Sequence, residues 1–232
     1  MKIFSALAVK EVVEPAARAV TQETGESFDT FFAPVGALQA KIAAGEAADI
    51  AILIPPALEK LQQDGTLTGR FDLGRVGIGI AIREGAPRPD FSSPEAFKQM
   101  LLNARSIALT DPAVGGTAGI YLAGLLQRMG IAETIGPKVQ WQKNGFFSAQ
   151  AVANGDAELG MTQISEIVAV KGAVVAGPLP PPLQTVTTYC AGIFTASQAQ
   201  AGARAFIAKL LSPVLYERWK AAGFELAGAE AP

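Results

Sequence analysis

Short apolar runs recur along this chain, and a helical pattern follows nearly every one of them. KIFSA at 2–6, ADIAILI at 48–54, VGIGIAIR at 76–83, SIAL at 106–109 and LGMT at 159–162 all have this form. Two successive strands can lie parallel only if the chain crosses over between them, and the crossover helices then cover the sheet. The alternation therefore predicts an α/β fold with mainly parallel sheets. Helices are expected over 9–24, 37–45, 56–65, 94–104, 118–129, 148–154, 199–211 and 213–222. Pro15 reads as a kink or a late start in the first of these. Pro56 and Pro94 suit first turns, and Gly45, Gly130 and Gly155 suit helix ends. Further strands are expected over 27–33, 139–142, 174–176 and 185–195, and the tail from Ala227 is expected to be loosely held.

Composition removes several chemistries. Apolar residues make up 50% of the 232 positions and charged residues 17%, which is the composition of a chain that folds. There is no histidine and one cysteine, Cys190. Ser-His-Asp and Cys-His catalysis are thereby excluded, as are a thiolate metal cluster and an intrachain disulfide. No metal or cofactor is expected. A net charge of −2 without a long basic run argues against nucleic acid as a partner. The opening MKIFSALAVKEVVEP lacks the basic leader and cleavage site of a signal peptide, and it reads as strand then helix. No apolar run is long enough for a membrane helix. The expected location is periplasmic if a signal peptide has been removed, and cytoplasmic otherwise.

Two proline-rich connectors, EGAPRPDFSS and GPLPPPLQ, bracket an α/β block. They suggest one discontinuous domain over 1–82 and 185–232, a second over 83–184, and a ligand cleft between two lobes. Within the second block, TDPAVGGTAGIYLAGLL bends on Gly115 and Gly116 just before a helix. It has neither the lysine-serine ending of a phosphate loop nor the glycine spacing of a dinucleotide fingerprint. A packing turn and a ligand-binding turn remain. In the second case Gly116 brings backbone close to the ligand, while Thr117 caps a helix starting at Ala118 or turns its hydroxyl to the ligand.

Several segments together carry a family resemblance: FFAPVGALQAKIAAGEAADIAI, the run from VGIGIAIR through DPAVGGTAGIYLAGLLQRMGI, VANGDAELGMTQISEI and VVAGPLPPPLQ. This set resembles the molybdate-binding-protein-like branch of the type II periplasmic solute-binding proteins. The resemblance implies two α/β lobes with mixed, mainly parallel sheets around a central cleft. It also implies capture of a small anion for an ABC-type uptake system, an ABC transporter permease as partner, and a monomer. The family's serine positions fall near Ala8 and at Val35–Gly36, and its tyrosine position near Gln163. Those substitutions point away from a tetrahedral oxyanion and toward a small organic anion such as a carboxylate. The expected ligand-binding set is Ser5, Ala6, Ala8, Val35, Gly36, Gly116, Thr117, Ala118, Asn144, Gly145, Phe146 and Gln163. Of these, Gly36 is expected to precede a helix and offer its free N–H groups. Asn144 and the aromatics of KNGFF either select an organic ligand or anchor a loop. Arg83 and Lys143 are candidate counter-charges. The same resemblance includes isomerases of unsaturated tricarboxylates such as aconitate. Without histidine, the base for that chemistry would be Glu166, a lysine such as Lys10 or Lys143, or a tyrosinate.

Overall fold

The computed structural model describes residues 1–226. The expected loose tail from Ala227 lies outside the described residues. In chain order the strands are β1 (Lys2–Ala6), β2 (Asp29–Ala33), β3 (Ile50–Leu53), β4 (Leu67–Arg83), β5 (Ile107–Thr110), β6 (Val139–Gln142), β7 (Leu159–Gln163), β8 (Ala173–Pro178), β9 (Val186–Phe194) and β10 (Glu225–Leu226). The helices are α1 (Lys10–Thr24), α2 (Val35–Ala43), α3 (Pro55–Gln63), α4 (Pro94–Asn103), α5 (Thr117–Arg128), α6 (Ala132–Ile135), α7 (Gly145–Asn154), α8 (Ile164–Val168), α9 (Gln200–Leu210) and α10 (Tyr216–Ala221).

The chain folds as two compact units. One comprises Met1–Arg75 and the segment from Thr187 onward, the other Val76–Val186. The chain leaves the first unit inside β4 and returns at the start of β9.

In the first unit, β1 lies between β2 and β3, parallel to both, with Phe4 opposite Phe31 and Ala51. β9 runs antiparallel to β3, and β10 runs antiparallel to the first part of β4. Ile3, Phe4, Ile50, Ile52 and Leu53 are fully buried, as strands covered on both faces require. α1 runs through Pro15, where the sequence suggested a kink or a late start. The missing N–H costs one bond, but the helix also buries Val12, Val13, Ala16 and Ala17. Its end is a left-handed Gly25 whose N–H reaches the carbonyl of Thr21.

Cys190 lies in β9 with no exposed surface, and its thiol faces the carbonyl of Leu53 at 3.5 Å. Burial pushes its pKa up to about 12. The thiolate is the reactive form, so the native protein is expected to resist iodoacetamide at pH 8 and to label fully once unfolded. Intact mass after timed exposure checks this, and prompt labelling of the native chain would contradict it.

In the second unit the sheet order is β8-β4-β7-β5-β6. β5 is parallel to both β6 and β7, while β4 is antiparallel to β7 and β8. Ile78, Ile80, Leu109 and Met161 of the sheet pack with Phe97 of α4 and Leu122 of α5. Ser93 caps α4 by accepting from Ala96 N–H at 3.1 Å, with Pro94 in the first turn.

The long β4 differs from the sequence expectation, which began a strand only at 76. Its first part, LTGRFDLGR, carries charge because Arg70, Asp72 and Arg75 are exposed between less exposed positions such as Leu67, Phe71 and Leu73. Such alternation marks a half-solvated strand rather than a loop.

Candidate functional site

The parallel strands β5, β6 and β7 of the second unit end side by side at Thr110, Gln142 and Gln163. β5 and β6 are each followed by a turn and a helix, α5 and α7, and β7 runs directly into α8. Ligands in open α/β sheets bind beyond the carboxyl ends of strands, where helix N-termini present unpaired N–H groups.

The turn between β5 and α5 is held by its own residues. Asp111 accepts from Ala113 N–H at 2.8 Å, and Gly115 takes a φ of 73° that favours glycine. The sequence suggested Thr117 as the cap of a helix starting at Ala118. Instead the extended Gly116 is the N-cap, α5 starts at Thr117, and no side chain caps it. Thr117 is thus released from capping, and its hydroxyl accepts from Gln163 Nε2 at 2.9 Å. Gly119 has a separate duty. A Cβ there would come within 2.5 Å of the Thr110 carbonyl oxygen, so glycine allows α5 to press onto β5. Ala118 is buried beside it.

α7 also starts earlier than expected, at Gly145 rather than Ser148. Asn144 is the reason: its Oδ1 accepts from Phe147 N–H at 3.1 Å, as an N-cap does. The Asn144 side chain therefore orders the turn. Phe146 and Phe147 are exposed and meet edge to face at 5.9 Å. Lys143 lies 4.6 Å above the Phe147 ring. Two exposed aromatics thus stand side by side at the start of a helix. Arg83, also weighed as a counter-charge, is exposed at the end of β4.

Glu166 sits at the third position of α8, and its carboxylate accepts from the backbone N–H of Gln163, the N-cap residue. That is the return arm of a capping box. It also accepts from Gly145 N–H and from the Thr162 hydroxyl at 2.6 Å. One carboxylate thereby ties the starts of α7 and α8 to the end of β7. The residue keeps some exposure, yet its carboxyl is enclosed by protein. Desolvation raises its pKa above the ordinary 4.5, against the opposing pull of the three hydrogen bonds. Thr162 is a residue that sequence reasoning passed over. Its signal was its place four residues before Glu166. Ser165, next to Glu166, is buried with a hydroxyl that has no partner among the described residues.

The first unit presents a similar strand edge. Ser5 and Ala6 close β1, and Ala8 lies in the 3-10 turn leading to α1. The Ser5 hydroxyl is buried and turned to the carbonyl of Ala6 at 3.2 Å. α2 begins at Val35 after Pro34, so Gly36 lies inside its first turn rather than before a helix starting at 37. Pro34 is the N-cap, with φ −55°, and the helix starts two residues earlier than expected. No side chain caps α2. Lys10, one of the candidate bases, lies 5.8 Å from the Phe32 ring centre. Of the tyrosines, Tyr121 donates to the Leu183 carbonyl at 2.8 Å, Tyr189 is buried and Tyr216 is exposed. Among the described residues no group of histidine, cysteine or carboxylate side chains could hold a metal ion.

The model of the family described as bacterial extracellular solute-binding protein matches residues 1–225. The chain belongs to this family. Among curated proteins, it is 34% identical to an aconitate isomerase of Pseudomonas sp. over 91% of this chain and 82% of that one. It is 26% identical to the molybdate-binding protein ModA of Escherichia coli, over 97% and 88% of the two chains. Among solved structures, the periplasmic molybdate-binding protein of Azotobacter vinelandii superposes with a TM-score of 0.79, covering 98% of this chain and 99% of that one at 19% identity. The sulfate-binding protein SubI of Mycobacterium tuberculosis follows the same fold, with a TM-score of 0.76 and coverage of 99% and 87% at 17% identity. The architecture is that of the type II periplasmic binding proteins: two α/β lobes with mixed, mainly parallel sheets. Its relatives by sequence divide between binding proteins and an isomerase on the same fold. No helix among the described residues is long and apolar enough to cross a membrane.

Proposed function

We propose that this member of the solute-binding family is an isomerase of a small unsaturated polycarboxylate, with aconitate the first substrate to test. The observation that carries the reading is the enclosed Glu166 carboxyl, raised in pKa, at the carboxyl edge of β5, β6 and β7. The 34% identity to an aconitate isomerase supplies the substrate class.

The chemistry asks for little machinery. Moving a double bond along by one carbon requires a base to remove an allylic proton and return it to the far end of the three-carbon allyl system. The C–H pair passes into the conjugated system of the substrate, whose own carboxylates spread the charge. No oxidant, metal or histidine takes part. A carboxyl with a raised pKa suits both halves of the task, since it takes the proton and gives it back. The uncapped first turn of α5, with the Thr117 hydroxyl beside Gln163, provides donors for a substrate carboxylate. Phe146 gives an apolar wall against the carbon skeleton.

A second reading keeps the same ligand class without turnover: a solute-binding protein that delivers a polycarboxylate to an ABC permease. The family match favours it, as does the 26% identity to ModA. The deciding experiment incubates the protein with cis-aconitate and, separately, with trans-aconitate, and follows both by proton NMR, alongside calorimetry. Interconversion above the uncatalysed rate is the expected result. One-to-one binding without interconversion would select the second reading. Neither turnover nor binding would overturn both for this substrate.

A further inference from the structure

The first unit carries a second candidate site, at the outer edge of its sheet and apart from the strand ends described above. β2 has β1 on one side and no strand on the other among the described residues. Asp29 N–H bonds to the carbonyl of Met1, which sets the phase of the parallel ladder: Asp29, Phe31 and Ala33 direct their backbone groups to β1. Thr30 and Phe32 therefore direct theirs outward, two N–H donors and two carbonyl acceptors on an open edge. The side chains of Thr30 and Phe32 also share one face of the strand. They line a groove of about 450 Å³ whose other wall is the Lys10, Glu14, Arg18 and Thr21 stripe of α1.

Charge selects what can lie there. Lys10 and Arg18 outnumber Glu14, which already pairs with Arg18 at 3.1 Å. A second copy pairing antiparallel through the same edge would bring the two cationic stripes together, so self-association is disfavoured. The Phe28 and Phe32 rings give the groove an apolar floor for side chains on alternate positions of an added strand.

We propose that this groove is a docking edge for an extended acidic peptide segment of another protein, added to the sheet as a strand beside β2. The segment exchanges backbone hydrogen bonds with Thr30 and Phe32. It places alternate apolar residues against Phe28 and Phe32, and its carboxylates toward Lys10 and Arg18. The inference stands independently of the isomerase reading, because no residue of the second unit enters it.

The test uses a fluorescein-labelled peptide of alternating glutamate and valine, with a lysine–valine peptide as control, read by fluorescence polarisation against the whole chain. The acidic peptide is expected to bind saturably, more weakly as salt rises, and the basic one not to bind. Thr30→Pro removes an outward N–H without touching the ladder to β1 and is expected to abolish binding. Arg18→Glu is expected to weaken it about tenfold. Methylating the backbone nitrogens of alternate residues in the acidic peptide blocks strand pairing from the ligand side, so the result survives even if Thr30→Pro fails to fold. Absence of saturable binding, or equal binding of the methylated peptide, would overturn the proposal. So would sedimentation showing a dimer of the chain that Thr30→Pro dissociates, since the occupant would then be a second copy.

Discussion

Glu166→Gln is expected to leave the fold intact and to lower aconitate interconversion by about 10²- to 10⁴-fold, the range typical for loss of a general base. Glutamine has the size of glutamate. Its amide oxygen can accept from the Gly145 and Gln163 N–H groups, and its amide nitrogen can donate to Thr162 once that hydroxyl reverses. Glu166→Ala should behave differently. It leaves backbone donors at the starts of α7 and α8 unpaired, so it should lose stability as well as turnover. A drop in kcat for glutamine at unchanged melting temperature separates catalysis from structure. Full activity of Glu166→Gln would remove the residue from the reaction.

The same carboxyl has a signature in the pH dependence of stability. Its pKa is raised in the folded chain, chiefly by desolvation, so the folded state holds a proton that the unfolded state has already released. Its contribution to stability is therefore complete below the ordinary 4.5 and is lost as pH rises through the raised folded value. Urea denaturation of wild type and Glu166→Gln across this window should show a component that falls with pH in the wild type only.

Gly145→Ala is expected to be strongly destabilising. A Cβ at this position would overlap both Glu166 Oε2 and Thr162 Oγ1, which are bonded to each other and cannot both move aside. Over-packing of this kind costs about 1–3 kcal/mol, and here it also pushes the Gly145 N–H away from the carboxylate it donates to. Gly124→Ala makes the matched control. Its Cβ would meet only the end of the flexible Arg128 side chain, at 3.2 Å, within α5. Alanine there is expected to stabilise the protein by about 0.5–1 kcal/mol. Urea midpoints that move in opposite directions would support this account. Equal midpoints for Gly145→Ala and wild type would show that the start of α7 is loosely held.

Much of this was legible in the chain because periodicity and punctuation are local. The α/β class followed from apolar runs alternating with helical segments, and the family from segments spread over nearly the whole length. Expectations failed where a residue's role depends on its neighbours in space. Thr117 reads as a cap in sequence, since threonine before an apolar helix caps well. In the fold, Gly116 takes that place and Gln163, from another strand, claims the hydroxyl. Asn144 reads as a ligand contact or part of a loop anchor, yet capping moves the start of α7 back to Gly145. The first part of β4 was hidden because its partners, β9 and β10, come from more than a hundred residues away.

The sequence alone determined which chemistry is excluded and which kind of layered fold is built, because both follow from residue types and their spacing. Without histidine, a lone carboxyl had to be among the candidate bases. Only the tertiary structure decided which carboxyl is enclosed. Glu166 becomes so through Gly145, Thr162 and Gln163, which meet it from a helix start, a strand end and a helix cap. Its desolvation is a property of those three elements packed together, and no local pattern encodes the distance between them.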